Sequence, residues 1–464
     1  MPLRGPARRL RPGAGLSDRP PVAVLVRPAV EGCRVSLSLG LFLASFLFLL
    51  FAGLPVAWTM VAASLLWLVA SGQTAFLPVL PERIFQGIDV FVLMAIPLFI
   101  LAGELINESR ITDRLIAFAN VLFGWMRGGL AQVNIGASIL FSGITGVALG
   151  DIAALGKVFI PSMSRSGYSA AYAAAVTASS SIIGPMVPPS LIVVIYGSMT
   201  GISIGALFAA CIVPGLTIGL CQMTLVGFQA RRRGHAAVAM DRSLPAVARS
   251  AGRALPPLMI PGIILAGILG GIMTPTEAGG LAAFYALLIA VFLYRTLGLR
   301  QFLSVLDRSA VFSAQLLIIV GCGAIFTWVR GRENVPALLE NTVRELALPP
   351  ALLLIALNLI MLLLGMFIDP VAAIILFVPI LATAATAAGV DPVHFGAIAI
   401  LNLNIGLLTP PLGVCLFAAE RIAGCGLPAL LRETWPFLLV SLAALVLVTY
   451  VPGLSLWLPR LLGF

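Results

Sequence analysis

The sequence predicts an all-α polytopic membrane protein with about ten transmembrane helices and two re-entrant hairpins arranged as inverted repeats. Three observations carry this expectation. Of the 464 residues, 60% are hydrophobic and only 10% charged, with a mean hydropathy of +1.09, whereas soluble domains carry about a quarter charged residues. Residues 36–54, 203–228, 278–294, 311–329 and 437–456 form apolar stretches with few or no charges, each long enough at roughly 18 residues or more to cross a hydrocarbon core. One helix-breaking pattern occurs twice, as Ile183-Gly184-x-x-x-Pro188-Pro189 and Ile405-Gly406-x-x-x-Pro410-Pro411.

Charge placement sets the orientation. The formal net charge of +10 does not point to nucleic acid, because the basic residues flank apolar spans, as residues that orient a membrane protein do. The loop 231–253 carries six arginines against Asp241, and 295–308 carries three against Asp307, so both are expected on the cytoplasmic side. Residues 1–34 differ from the rest, with seven arginines against Asp18 and Glu31, frequent proline and glycine, and no signal-peptide cleavage pattern. They read as a disordered extension or as an artefact of start assignment, and they fit poorly with an N-terminus that span counting places outside. The six cysteines show no paired metal-type spacing, and Cys211, Cys221, Cys322 and Cys415 fall in or near apolar spans, where cysteine behaves as a small hydrophobe.

Taken in order, residues 35–129 are expected to hold scaffold helices and an interfacial segment. Within 107–127, Leu115, Ile116, Phe118, Ala119, Leu122 and Phe123 recur at near-helical spacing beside Arg110, Asp113 and Arg114, which fits an amphipathic helix or an ordinary charged connector. Residues 130–230 form a first repeat of hairpin, broken helix and following helix, and 231–350 hold the basic loop and further scaffold helices. Residues 351–420 repeat the hairpin and break, and 421–464 supply a C-terminal helix. Asp151 precedes Pro161 by ten residues, and Asp369 precedes Pro379 by ten; the offset between copies is 218 at these pairs and 222 at the breaks. The basic loop between the copies gives them opposite orientation, the first hairpin entering from the cytoplasm and the second from outside. Inverted repeats with paired broken helices point to the binding site of a secondary transporter.

The chemistry follows from the breaks. Consecutive prolines remove backbone donors and stop a helix, while Gly184 and Gly406 tolerate an unwound backbone. In lipid the freed carbonyls cost several kcal/mol each unless satisfied, and a bound cation together with half-helix dipoles satisfies them. The hairpins are interrupted at Ser142-Gly143-Ile144-Thr145-Gly146 and at Gly365-Met366-Phe367-Ile368-Asp369-Pro370, where hydroxyls and a carboxylate offer oxygens to a hard cation. Asp369 reads as cation-linked in preference to a helix cap; Asp151 reads equally as either. Glu104 and Glu277 read as structural. Lys157, the only lysine, reads as a snorkelling side chain or a substrate contact. An intramembrane aspartyl protease is set aside because Gly150-Asp151 lacks the glycine its signature needs at position 148 and because such chemistry leaves two proline-pair breaks unexplained.

These residues resemble the large membrane subunit of TRAP transporters, the DctM-like subunit of tripartite systems that depend on a periplasmic binding protein. The matching stretches are Gly271-Ile-Met-Thr-Pro-Thr-Glu-Ala278, Gly365-Met-Phe-Ile-Asp-Pro370, Asp391-Pro-Val-His-Phe-Gly396 and Asn404-Ile-Gly-Leu-Leu-Thr-Pro-Pro411, with Gly53-Leu-Pro-Val-Ala57 and Ala153-Ala-Leu-Gly156 to Ile160-Pro161 in support. The resemblance runs from about Val35 to the C-terminus. It implies no enzyme and no cofactor, but an elevator-type importer of an organic acid in the bacterial inner membrane, with sodium as the coupling ion. A small DctQ-like membrane subunit and a DctP-like periplasmic protein would be its partners besides the lipid bilayer. One cation site then maps onto Thr145, Gly184, Val187 and Pro189, and a second onto Gly365, Asp369, Gly406, Thr409 and Pro411. The substrate is expected at the first tip, Thr145 and Gly146, and at Arg332 in Trp328-Val-Arg-Gly-Arg332-Glu-Asn-Val-Pro336, where a guanidinium suits a carboxylate or serves as an interfacial anchor. The first tip departs from the family's Ser-Gly-Ser: Thr145-Gly146-Val147 lacks the second hydroxyl. A stand-alone carboxylate or ion exchanger of the same superfamily is the rival expectation.

Overall fold

In a chain this apolar, helices end where proline, glycine or a capping side chain ends them. The computed structural model describes residues 37–109, 112–235, 243–346 and 348–464; the extension at 1–34, Arg110, and Asp241 with Arg242 of the basic loop lie outside the described residues. Every regular element among the described residues is helical. The first two helices, α1 (Leu37–Phe51) and α2 (Val56–Ala70), turn at Gly53-Leu54-Pro55 and pack on each other, and α3 (Val79–Ile88), α4 (Ala95–Glu108) and α5 (Thr112–Phe123) follow. The segment expected to be amphipathic does form α5, burying Leu115, Ile116 and Ala119 on one face.

The first hairpin goes up as α6 (Gly129–Thr145) and returns as α7 (Ala148–Asp151), a π-helical turn at Ile152–Gly156, and α8 (Lys157–Arg165). Gly146 makes the tip at φ 61°, a left-handed conformation that favours glycine. Helix α9 (Ala170–Ser181) stops at the first break, and the chain resumes as α10 (Leu191–Thr200), α11 (Ile204–Arg233) and α12 (Leu244–Leu269). Thr274 then caps α13 (Pro275–Leu288) in a reciprocal box with Glu277, the structural use expected of that glutamate. The 34-residue α14 (Leu299–Arg332) is followed by α15 (Val335–Leu346). The second hairpin comprises α16 (Pro350–Phe367), α17 (Pro370–Leu376) and α18 (Val378–Ala387), with a 56° bend between the last two. Helix α19 (Pro392–Gly406), capped by Asp391 through Val393 and His394 N–H, ends at the second break; α20 (Val414–Ala423), α21 (Leu427–Tyr450) and α22 (Gly453–Leu461) complete the chain.

Among the described residues, seven helices are long and apolar enough to cross a membrane, or eight if the bent pair counts as one span. The remaining apolar sequence lies in shorter helices such as α1, α2, α10 and α19, because the proline-pair breaks divide two runs into halves. Large apolar side chains remain exposed on the outside of the body, Phe48, Trp58, Leu359 and Trp457 among them, as a lipid-facing surface requires. Two apolar clusters fill the interior. The smaller joins α1, α2, Leu80 of α3, the end of α14 and Leu376, with the Phe42 and Phe46 rings 4.6 and 5.0 Å from that of Phe326.

The end of α14 is held by polar contacts as well. Glu333 Oε1 accepts from Ser38 Oγ at 2.6 Å and from Trp67 Nε1 at 2.7 Å, and Trp67 packs edge-on against Trp328 at 6.2 Å. One carboxylate therefore ties α14 to both of the first two helices. Hydrogen bonds to a charged group contribute about 1.5–3 kcal/mol when shielded and less when part-exposed. Glu333→Ala is expected to destabilise the protein by about 1–2 kcal/mol through two lost acceptor contacts, read as a lower melting temperature in detergent, while Glu333→Gln retains most of the stability.

Candidate functional site

Each break is pressed against the tip of its own hairpin, and glycine makes the approach possible. At the first, a methyl group added to Gly146 would stand 3.3 Å from both Pro189 O and Leu191 N. One added to Gly184 would stand 2.2 Å from Asp151 Oδ2, so the carboxylate of the return helix abuts the break. Asp151 is buried and makes no side-chain cap to the turn that follows it. At the second, a methyl group on Gly406 would lie 2.5, 2.6 and 2.8 Å from the backbone C, Cα and O of Gly365. Both proline pairs, Pro188-Pro189 and Pro410-Pro411, have cis peptide bonds.

The expected site residues thus fall into two groups. Gly146, Gly184 and Pro189 gather at the first tip–break contact, and Gly365 and Gly406 at the second. Thr145 closes α6; its side chain lies outside the described residues. Val187 turns its side chain toward Gly215 of α11, leaving only its backbone for the site. Thr409 Oγ1 donates to Ile405 O at 2.9 Å, and Pro411 is exposed. Asp369 does cap α17, accepting from Val371 N–H at 2.9 Å; it also exposes surface to the cavity described next, so capping leaves it available to a ligand.

That cavity, of about 510 Å³, lies between the two tip–break units and the scaffold. Val147 and Ala148 line it at the start of α7, Leu191 and Ile192 at the start of α10, and Pro370 and Val371 at the start of α17. Three helix starts therefore meet at one space, each with the positive end of its dipole, and Asp369 already takes the Val371 N–H at the start of α17. Asn404 and Leu407 bring the C-terminal end of α19 to the same space, and the Oδ1 of Asn404 is buried without a hydrogen-bond partner among the described residues. The scaffold contributes Glu104 and Asn107 of α4 and Phe312, Gln315 and Ile319 of α14. Glu104 and Glu108 are bridged by Arg308 at 3.1 and 2.7 Å.

Among the described residues, no arginine or lysine lines this cavity. Arg332 sits at the far end of α14, donating to Gln73 Oε1 at 2.9 Å and lying 4.6 Å above the Phe76 ring; the structure does not bring it to the tips. Lys157 starts α8 and lines a neighbouring cavity with Glu104, Asn107 and Asp113, which opens beside the first.

Sequence reasoning misses the polar pairs that hold each hairpin to its broken helix. Ser138 Oγ donates to Ser180 Oγ at 2.8 Å in the first unit, and Asn402 Nδ2 donates to Asn358 Oδ1 at 2.7 Å in the second. The second members, Ser180 and Asn402, are separated by the same 222 residues as the breaks. Three asparagines inside apolar helices, Asn358, Asn402 and Asn404, are the signal that would have found them, because an amide in such a place needs a partner.

The chain matches the family described as tripartite ATP-independent periplasmic transporter, DctM component, over residues 43–454. It is 39% identical to the sialic acid TRAP transporter large permease protein SiaM of Vibrio cholerae, over 90% of this chain and 97% of that one. It is 37% identical to the C4-dicarboxylate TRAP transporter large permease protein DctM of Pseudomonas aeruginosa, over 82% and 89%. Among solved structures it is similar in fold to the YdaH transporter of Alcanivorax borkumensis, with a TM-score of 0.57, 14% identity, and coverage of 84% of this chain and 90% of that one.

The tip–break contact made wholly by backbone gives a test. A methyl group at Gly406 meets only backbone of Gly365, which cannot swing aside. Gly406→Ala is expected to separate tip from break and to reduce transport at least tenfold. Gly262→Ala, on α12 with nothing within 4 Å, is expected to leave transport unchanged and to be neutral or slightly stabilising. Uptake assays on reconstituted protein at matched protein amounts read the difference.

Proposed function

The chain belongs to the DctM component family of tripartite ATP-independent periplasmic transporters, and on that premise we propose that it imports a carboxylate-bearing organic acid across the bacterial inner membrane, coupled to sodium. As the large permease subunit it would work with a small membrane subunit and a periplasmic binding protein. The relatives that transport sialic acid and C4-dicarboxylates support an organic acid as cargo. The stand-alone exchanger is not favoured, because the relatives are permease proteins named for TRAP systems.

The observation that carries this reading is the meeting of three helix N-termini and one helix C-terminus at a single cavity. N-terminal N–H groups and dipoles accept an anion without any basic side chain, which suits a cavity whose described lining holds no arginine or lysine. The carbonyl ends of the breaks, with Asp151 at Gly184 and with Asp369 and Asn404 at the second unit, offer oxygens suited to a hard monovalent cation. Cation and anion then stabilise the same closed arrangement of the tips: the cation draws the break carbonyls and carboxylates together, and the assembled half-helices complete the anion site. That mutual dependence is coupling in the thermodynamic sense.

In the proposed elevator cycle the hairpins and broken helices move as one body against α3, α4 and α14. Gly323 of α14 forms a notch for Ile375 of α17, where an added methyl group would lie 2.1 Å from Cγ2, so the moving body would have to leave this notch. The cavity lies at the middle of α14, where Phe312, Gln315 and Ile319 line it. Both repeats would deliver their tips to the cavity from opposite sides, as an inverted repeat requires.

The test is uptake into proteoliposomes by the chain with its small subunit and binding protein, using labelled succinate and N-acetylneuraminate. A sodium gradient is expected to drive uptake, and equimolar potassium is not. Asp369→Asn is expected to lower sodium-driven uptake at least tenfold while leaving the melting temperature within a few degrees. Equal uptake in sodium and potassium would contradict the coupling assignment.

A further inference from the structure

The cavity between the tips is not the only one along α14. About nine residues further on, roughly 14 Å at 1.5 Å per residue, Thr327 and Trp328 line a second cavity of about 380 Å³. Its other walls are Arg83 and Gln86 of α3 and Ser198 and Met199 of α10. The first cavity uses Leu191 and Ile192 of the same α10, about seven residues back, or roughly 10 Å. Two cavities thus lie in register along the same two helices, one from the scaffold and one following the first break. A slide of α10 along α14 by about this distance carries the anion-accepting start of α10 to the level of the second cavity.

The two cavities differ in charge. Among the described residues the first has carboxylates and amides but no basic side chain; the second has a guanidinium. Gln86 Nε2 donates to Glu82 Oε1 at 2.8 Å, and Gln86 Oε1 accepts from Arg83 Nη1 at 3.1 Å. The amide is thereby oriented, and it holds one edge of the guanidinium. Arg83 Nε is buried without a partner among the described residues, a donor left unused in this arrangement. On the opposite wall the Thr327 hydroxyl accepts from Arg330 Nη2 at 2.8 Å, which leaves its own proton for donation. A planar donor pair facing a hydroxyl across a space of this size suits a carboxylate.

We infer that this second cavity is an acceptance site for the carboxylate of the incoming solute on the side opposite the basic loops, with Arg83 taking its charge and Trp328 forming its wall. The inference rests on the carboxylate-importer reading. It adds that the basic group for the anion stands on the scaffold, away from the tips, so the solute exchanges an arginine for helix N-termini as it passes inward.

Trp328 makes the site observable. The full chain in nanodiscs is titrated with succinate and, separately, with N-acetylneuraminate while tryptophan emission is followed. At least one probe is expected to change the emission, and Trp328→Phe to abolish most of that change. Arg83→Gln is expected to weaken the apparent affinity at least tenfold, Arg83→Lys to restore part of it, and Gly262→Ala, on α12 with open space around it, to leave it within about twofold. A wild-type protein whose emission neither probe alters, or an Arg83→Gln variant that binds as wild type does, would overturn the assignment. Uptake by the reconstituted complex separates the two levels. Absence of uptake by wild type defeats the importer reading, whereas full uptake by Arg83→Gln with unchanged KM defeats only this site.

Discussion

Backbone must be satisfied wherever it is unwound inside an apolar medium, and the rest of this structure follows from how that is done. At the second break the backbone of Gly406 lies so close to that of Gly365 that no side chain fits between them. At the first, Gly146 lies against Pro189 and Leu191, and Gly184 against Asp151. Each unwound segment is thus shielded by a hairpin tip instead of by lipid, and its carbonyls and half-helix ends are kept in reach of one shared cavity. Without glycine at these positions the tips would stand off, and the open polar backbone would cost several kcal/mol per group.

The same constraint explains why the cavity needs no basic residue. Ending a helix inside a membrane creates two partial charges, one on each half. Here the positive ends of α7, α10 and α17 face the space that the carbonyl end of α19 also reaches. A pair of opposite ions is therefore better matched to the site than either alone. The arginines are spent elsewhere: Arg308 on Glu104 and Glu108, Arg332 on Gln73 and Phe76, and Arg330 on the carbonyl of Leu376 at the bend of the second hairpin. Arg330 is buried and joins α14 to the second hairpin, so the scaffold grips the hairpin at a polar point as well as at the Gly323 notch.

Much of the fold could be read in the sequence because its strongest cues are local. Proline pairs, tip glycines and N-cap residues act within a few positions, so Thr274, Asp369 and Asp391 mark helix starts where the structure has them. The placing of Gly365 with Gly406 came from the family resemblance and not from a local cue. What escaped depends on contacts distant in sequence. Nothing near Trp328 or Arg332 shows that Glu333 reaches Ser38 and Trp67 across nearly three hundred positions, so the clamping use of this stretch could not be read. The amide pair Asn358–Asn402 and the orphaned Oδ1 of Asn404 were visible as polar residues in apolar runs, but their partners were not. The short helices α3 and α15 were missed because they are amphipathic and brief, without the long apolar run by which spans are recognised.

The central claim is that a cation holds the two hairpin tips against their breaks. Hydrogen exchange on the full chain in nanodiscs, compared in sodium chloride and in potassium chloride, reads this directly. Sodium is expected to slow exchange of amides at 146–150 with 184–190 and at 365–371 with 405–411, and to leave α1, α2 and α21 unchanged. Exchange at those four segments that is indifferent to sodium, in protein that transports, would contradict the account.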